Sequence, residues 1–244
     1  MFRRVSRLLV SFVMIMTGAV IGVGATSGTA HADECYTWSR TLTEGSSGGD
    51  VTQLQIRVAG WVTSGERLSY DGRFGARTTA AVKKFQAAYG LTADGVAGAQ
   101  TFSKIYALQD ADCTPVHFGY AELNRCNSDW SGGAVSAATA KANALKTMWK
   151  LEAMRHALGD VPVTVSSGFR SYACNNAVGG SSTSRHLYGD AADLTGSPTL
   201  CRLAQQARTH GFSEILGPGY PGHNDHTHVA LDPSPYWSAP TCGI

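Results

Sequence analysis

SRHLYGDAAD, residues 184–193, decides how the second half of this 244-residue chain must fold. It places His186 seven residues before Asp193, with Gly189 between them. On one helix that separation is two turns, about 10 Å along the axis. Ligands sitting about 2 Å from one metal ion are at most about 4 Å apart. If both side chains serve one ion, a continuous helix is excluded and the chain must turn back. Gly189 relaxes the backbone at the reversal. Ala191 and Ala192 keep the approach narrow, and Asp193 is expected on a strand over 191–194.

A second stretch, GHNDHTHVAL at 222–231, supplies further donors. His223, Asp225, His226 and His228 fall within six residues of a chain that has eight histidines. His226 and His228 are two apart, on one face of a strand. Asp225 lies just before it. Two histidines and a carboxylate with an open position are the usual plan of a hydrolytic zinc, which polarises a carbonyl and lowers the pKa of water to about 7. A carboxylate that does not bind the ion is then needed as general base. Geometry leaves the third ligand open between His226 and His228.

The surrounding pattern mixes helices and strands without regular alternation, an α+β signature. Residues 137–158 are Ala-rich, with Leu145, Met148, Trp149 and Met154 on a broad apolar stripe, and Gly159 follows as a stop. Val161, Val163 and Val165 alternate as in a strand. Ser197 and Pro198 read as N-cap and first turn of a helix running to His210, whose imidazole would complement the helix dipole. Short strands are expected over 212–216 and 226–231.

The first half carries a repeat. Asp71-Gly72-Arg73-Phe74-Gly75-Ala76-Arg77-Thr78 and Asp94-Gly95-Val96-Ala97-Gly98-Ala99-Gln100-Thr101 both read D-G-x-x-G-x-x-T. Asp-Gly favours a tight turn, and each threonine is a candidate N-cap. Val82, Phe85 and Tyr89 follow at helical spacing, as do Ile105 and Leu108. With a further helix over 51–58, this is a small three-helix unit. Gly48-Gly49-Asp50-Val51, Leu54-Gln55, both corners, Phe85-Gln86 and Gly90-Leu91 resemble the bacterial peptidoglycan-binding domain family. The resemblance implies a wall-targeting module.

The pattern S-x-H-x-x-G-x-A-x-D at Ser184, His186, Gly189, Ala191 and Asp193, followed by Asp225-His226-Thr227-His228, resembles zinc D-alanyl-D-alanine carboxypeptidases and related D,D-dipeptidases. The resemblance runs from about residue 126 to 244. It implies one zinc per chain held by His186, Asp193 and His228, with Asp225 as general base, where many relatives carry Glu. It also implies that Arg170, in the G-x-R of Gly168-Phe169-Arg170, faces the reacting carbonyl. A fixed cation there would stabilise an oxyanion. His223 and His226 are expected to line the pocket.

The chain opens with Arg3, Arg4 and Arg7, an apolar run to about residue 23, and Ala30-His31-Ala32, a secretory signal pattern. Cleavage after residue 32 leaves 17 basic against 18 acidic residues, so composition offers no case for nucleic acid or anionic lipid. All six cysteines lie beyond that point, an even count suited to disulfides in an oxidising compartment. By position, the expected pairs are Cys35–Cys113, Cys126–Cys174 and Cys201–Cys242. The organisation expected is a signal peptide at 1–32, a wall-binding domain at 33–113 with its core at 44–108, and an α+β zinc peptidase at 114–244 around a mainly antiparallel sheet. The function expected is a secreted, monomeric peptidoglycan peptidase that cleaves the terminal D-Ala-D-Ala bond and stays clear of the membrane after processing. A cross-link D,D-endopeptidase, an L-Ala–D-Glu peptidase and a non-catalytic zinc-containing wall-binding protein are the alternatives.

Overall fold

Two hydrophobic cores share one long helix in the computed structural model, which describes residues 35–244. The expected signal peptide lies outside these residues. Helices α1 (Gly49–Arg57), α2 (Ala76–Ala88) and α3 (Ala99–Ala107) enclose the first core. Leu42, Val51, Leu54, Val82, Phe85, Phe102 and Ile105 fill it.

The repeated corners fold alike, for a reason that corrects the N-cap expectation. The Gln55 amide donates to Asp71 Oδ1 (2.9 Å), the Arg73 carbonyl (3.1 Å) and Thr78 Oγ1 (3.3 Å), and its oxygen accepts from the Gly72 N–H (3.0 Å). Gln86 repeats all four bonds with Asp94, Val96, Thr101 and Gly95, at 2.9, 3.0, 3.1 and 2.9 Å. Gly75 and Gly98 are the actual N-caps. Thr78 and Thr101 are buried inside the first turn, where each hydroxyl satisfies a buried glutamine. A buried amide without partners costs about 1–3 kcal/mol, so the threonines serve the interior instead of the helix end.

After the short α4 (Tyr120–Leu123), α5 (Ala137–Ala157) is capped by Ser136, whose hydroxyl accepts from the Thr139 N–H. The expected single stripe on α5 is in fact two faces. Met148, Leu151 and Met154 enter the second core, whereas Trp149 and Ala153 enter the first, with Leu145 packed against both. Helix positions 148 and 149 differ by about 100° in direction, so one helix can serve both cores. A Cβ at Gly60 would lie 2.5 Å from that of Ala153, so the chain can approach α5 this closely only as glycine. The Lys150 ammonium, buried at this seam, donates to the Ala59 (3.2 Å) and Gly211 (2.9 Å) carbonyls.

The second core lies against a five-stranded sheet ordered β1-β2-β4-β3-β5. Its strands are β1 (Thr164–Ser167), β2 (Ala191–Thr195), β3 (Glu214–Leu216), β4 (Thr227–Ala230) and β5 (Tyr236–Ser238). All pairs are antiparallel except β3 with β5. Helix α6 (Tyr172–Ala177) follows β1, and α7 (Leu200–Thr209) follows β2. The α7 N-cap is Thr199, not Ser197, its hydroxyl accepting from the Arg202 N–H. His210 also departs from expectation. It is buried, its Nδ1–H donates to the Gln206 carbonyl at 2.7 Å, and burial pushes its pKa down. It therefore ends the helix as a neutral donor rather than a cation. The three disulfides are the expected pairs. Among the described residues no helix is long and apolar enough to cross a membrane.

Candidate metal centre

The site forms where two strands and one turn meet. Asp193 on β2 is paired directly with His228 on β4, and Ser167 of β1 and Leu216 of β3 flank them in the same row. His186 arrives from a 3-10 turn, Arg185–Tyr188, that ends at Gly189 with φ 75°. A Cβ on Gly189 would lie 2.4 Å from the Ala140 carbonyl oxygen of α5. Both the left-handed backbone and the close approach demand glycine there. The turn-then-strand expectation thus holds.

Three donor atoms converge. His186 Nε2 is 3.1 Å from Asp193 Oδ1 and 3.1 Å from His228 Nδ1, and the last two atoms are 2.9 Å apart. All three residues are buried. His186 Nδ1 faces the Gly168 carbonyl at 2.5 Å, which can only accept, so Nδ1 carries the proton and Nε2 presents a lone pair. The other ring nitrogen of His228, Nε2, is buried without a hydrogen-bond partner and faces Glu214 Oε1 at 3.4 Å. A proton on that nitrogen, toward the carboxylate, leaves Nδ1 with its lone pair as well. Two imidazole lone pairs and a carboxylate oxygen then point at one another, an arrangement that repels itself unless a proton or a metal ion sits between them. Tetrahedral ligands at zinc bond lengths are about 3.3 Å apart, close to the spacings here. The residues present fit the ion.

The local field agrees. Burial opposes ionisation of Asp193, but the attraction and hydrogen bonds of His186 and His228 outweigh it and hold the carboxyl far below its usual range. Burial likewise opposes protonation of His228, yet Asp193 and Glu214 outweigh it and push its pKa up to about 9. Burial holds His186 down.

The remaining expected residues surround this cluster. Arg170 is held rather than free: Nη2 donates to Asp193 Oδ2 at 2.6 Å and Nε to Ser167 Oγ at 3.0 Å. Its backbone N–H donates to the His186 carbonyl at 3.0 Å, tying the segment after β1 to the ligand turn. His226 Nε2 stands 3.6 Å from Asp193 Oδ1, and its Nδ1 pairs with Asp225 Oδ1 at 2.8 Å. The Asp225 side chain is 88% exposed, so its other oxygen faces solvent at the mouth of the site. The bond from His226 holds the Asp225 carboxyl below its usual pKa. The His223 ring centroid lies 4.8 Å from that of His226 and 5.9 Å from that of His228, and its Nδ1–H donates to the Pro221 carbonyl at 3.0 Å. Glu214 is the one site residue that sequence reading missed. Its signal was an acid opening the otherwise apolar strand over 214–216.

This fold and site define an α+β domain with a candidate His₂-Asp metal centre, of the kind that hydrolytic metalloenzymes use, joined to a helical module. Residues 116–230 match the Peptidase M15 family, and residues 47–105 match a peptidoglycan binding domain family. The chain is 67% identical over 233 residues to the zinc D-Ala-D-Ala carboxypeptidase of Streptomyces albus G, covering 92% of this chain and 91% of that protein. It is also 32% identical over 107 residues to an uncharacterized protein in the bpoA1 3' region of Kitasatospora aureofaciens, covering 41% of this chain and 86% of that one. Among solved structures, a Burkholderia AP3 phage endolysin is similar at 33% identity, covering 44% of this chain and 36% of that one, with a TM-score of 0.26. The chain belongs to the zinc D-Ala-D-Ala carboxypeptidase family. It is a zinc peptidase that carries a peptidoglycan-binding domain, which places it at the cell wall or outside the cell.

Proposed function

We propose that this chain is exported by a signal peptide at 1–32, binds peptidoglycan through residues 33–113, and removes the terminal D-alanine of stem peptides through residues 114–244. The observation that carries the reading is the convergence of His186 Nε2, Asp193 Oδ1 and His228 Nδ1 within 2.9–3.1 Å of one another. Zinc held by these three residues supplies Lewis acidity toward the scissile carbonyl and activates water at neutral pH.

The chain's own groups do the rest. Asp225, at the mouth, takes the proton of the attacking water and passes it to the leaving amine. His226, bonded to Asp225, fixes where that carboxylate points. Arg170, bonded to Asp193 Oδ2, keeps that carboxylate aimed inward. Its free N–H groups donate to the oxygen that gains charge in the transition state. His223 walls the pocket beside His226. The wall-binding domain raises the local substrate concentration without adding a catalytic contact. The protein acts as a monomer and has no nucleic-acid partner.

Digestion of a defined muropeptide with mass detection tests the reading. Loss of a single alanine from the stem terminus is expected, and it should stop when zinc is chelated. Cleavage only at cross-links, or only between L-Ala and D-Glu, would replace the assigned bond. Full activity in a chelated protein that added zinc does not change would remove the mechanism.

A further inference from the structure

A cavity of about 290 Å³ opens at the seam between the two cores, away from the metal centre. Its lining includes Arg67, Tyr70, Arg77, Lys150 and Ser213, and none of its lining residues is acidic. The volume is roughly ten times the ~30 Å³ share of one water in the liquid, room for a compact ligand with some hydration.

Two features of the lining are unexplained by the fold. The Tyr70 hydroxyl is buried and has no hydrogen-bond partner. Buried hydroxyls are normally paired, so one left without a partner on a residue that lines the cavity calls for an acceptor. Lys150 donates to two carbonyls, Ala59 and Gly211. A neutral amine spends both its N–H groups on them; a protonated one has a third to give, with no acceptor among the described residues. Around these two, Arg77 is exposed and makes no ion pair or side-chain hydrogen bond among the described residues. Arg67 is anchored only to the Asp232 and Pro233 carbonyls through Nη1. The Lys146 ammonium lies over the Tyr70 ring at 5.2 Å and donates to Asn143 Oδ1. Asp190 draws on Lys146 electrostatically, but its own carboxylate is taken by Arg185.

We propose that this cavity binds a tetrahedral oxyanion of the phosphate class, free or esterified, with Tyr70 and Lys150 as buried donors and Arg77 and Arg67 at the rim. The donors come from both sides of the seam: Tyr70 and the arginines from the N-terminal core, Lys150 and Ser213 from the sheet domain. Several donors arriving from different directions suit a tetrahedral acceptor better than a planar one. A bound anion would also give the buried ammonium its missing counter-charge, and so would fasten the two cores together.

Calorimetric titration of the zinc-loaded chain in phosphate-free buffer tests this, with inorganic phosphate in one arm and glycerol 1-phosphate in the other. Saturable binding and a rise in Tm are expected with at least one of them, and the arm that binds tells free phosphate from ester. Tyr70→Phe and Arg77→Ala should each weaken binding by about tenfold or more. Neither should lower the Tm measured without phosphate, because neither group has a partner to lose. Phosphate that instead collects at the metal would bind both variants as well as the parent. Equal affinity in parent and variants, or no saturable binding at millimolar phosphate, overturns the proposal.

Discussion

Asp193 and His228 stand directly opposite each other across β2 and β4, and Asp193 Oδ1 and His228 Nδ1 approach to 2.9 Å. Strand register, not loop flexibility, therefore sets half of the candidate metal centre. The carboxylate is shared: Oδ1 faces the two imidazoles and Oδ2 receives Arg170. Exchanging Asp193→Asn keeps the shape and removes the charge. Zinc content, read by atomic absorption, should fall from one per chain toward zero. Retained stoichiometric zinc would show that the carboxylate is not a ligand.

Glu214 faces the outer nitrogen of His228 at 3.4 Å. A carboxylate behind a metal-bound imidazole fixes its tautomer and raises its basicity. Glu214→Gln should weaken zinc binding by about 10–100-fold, measured by competition with a chromophoric chelator. An unchanged affinity would leave Glu214 a bystander.

Asp225 reaches the site only through its edge, bonded to His226 and otherwise exposed. Asp225→Ala should lower kcat/KM by about 10²–10⁴-fold with zinc content unchanged, whereas Asp225→Glu should keep most of the activity. Full turnover by the alanine variant would assign the proton transfer to another group.

No covalent acyl-enzyme forms in the proposed reaction, so chelators should abolish hydrolysis while β-lactams leave it largely intact. Stoichiometric labelling by a β-lactam, detected as a mass increment on the intact chain, would contradict that chemistry.

Lys150 makes stability pH-dependent. Burial pushes its pKa down to about 7, with Arg67 adding to the shift, against about 10.4 in the unfolded chain. Between those values the unfolded chain binds a proton that the folded chain lacks, so this group makes stability rise with pH. The limiting slope is about 1.4 kcal/mol per pH unit, and the penalty is full below pH 7. In phosphate-free buffer, urea unfolding of Lys150→Met should show a shallower rise from pH 7 to 10 than the parent. Identical slopes would place the lysine in water.

Much of the site was legible because its parts are local. The spacing of His186, Gly189 and Asp193 already required a reversal, and the structure supplies it as a 3-10 turn closed by a left-handed glycine. The doubled D-G-x-x-G-x-x-T corners were legible too. Their threonines were misread because an N-cap and a buried partner for glutamine use the same hydroxyl, and only the position of Gln55 and Gln86 decides between them. His210 was misread in the same way, since a last-turn histidine complements the dipole only if it is exposed enough to be charged.

By itself the sequence determined the ligand types, the turn that brings His186 round, the repeated helical corners and the long helix α5, because backbone sterics and side-chain spacing act over a few residues. Tertiary structure alone decided that His186, Asp193 and His228 converge within reach of one ion, a grouping that residue spacing left open between His226 and His228 and that family resemblance implied, that Glu214 stands behind His228, that α5 is buried on two faces, and that a cationic cavity lies between the cores. Those outcomes depend on strand register and on the meeting of segments tens to hundreds of residues apart. Their distances are set by the packing of the whole chain rather than by any local pattern.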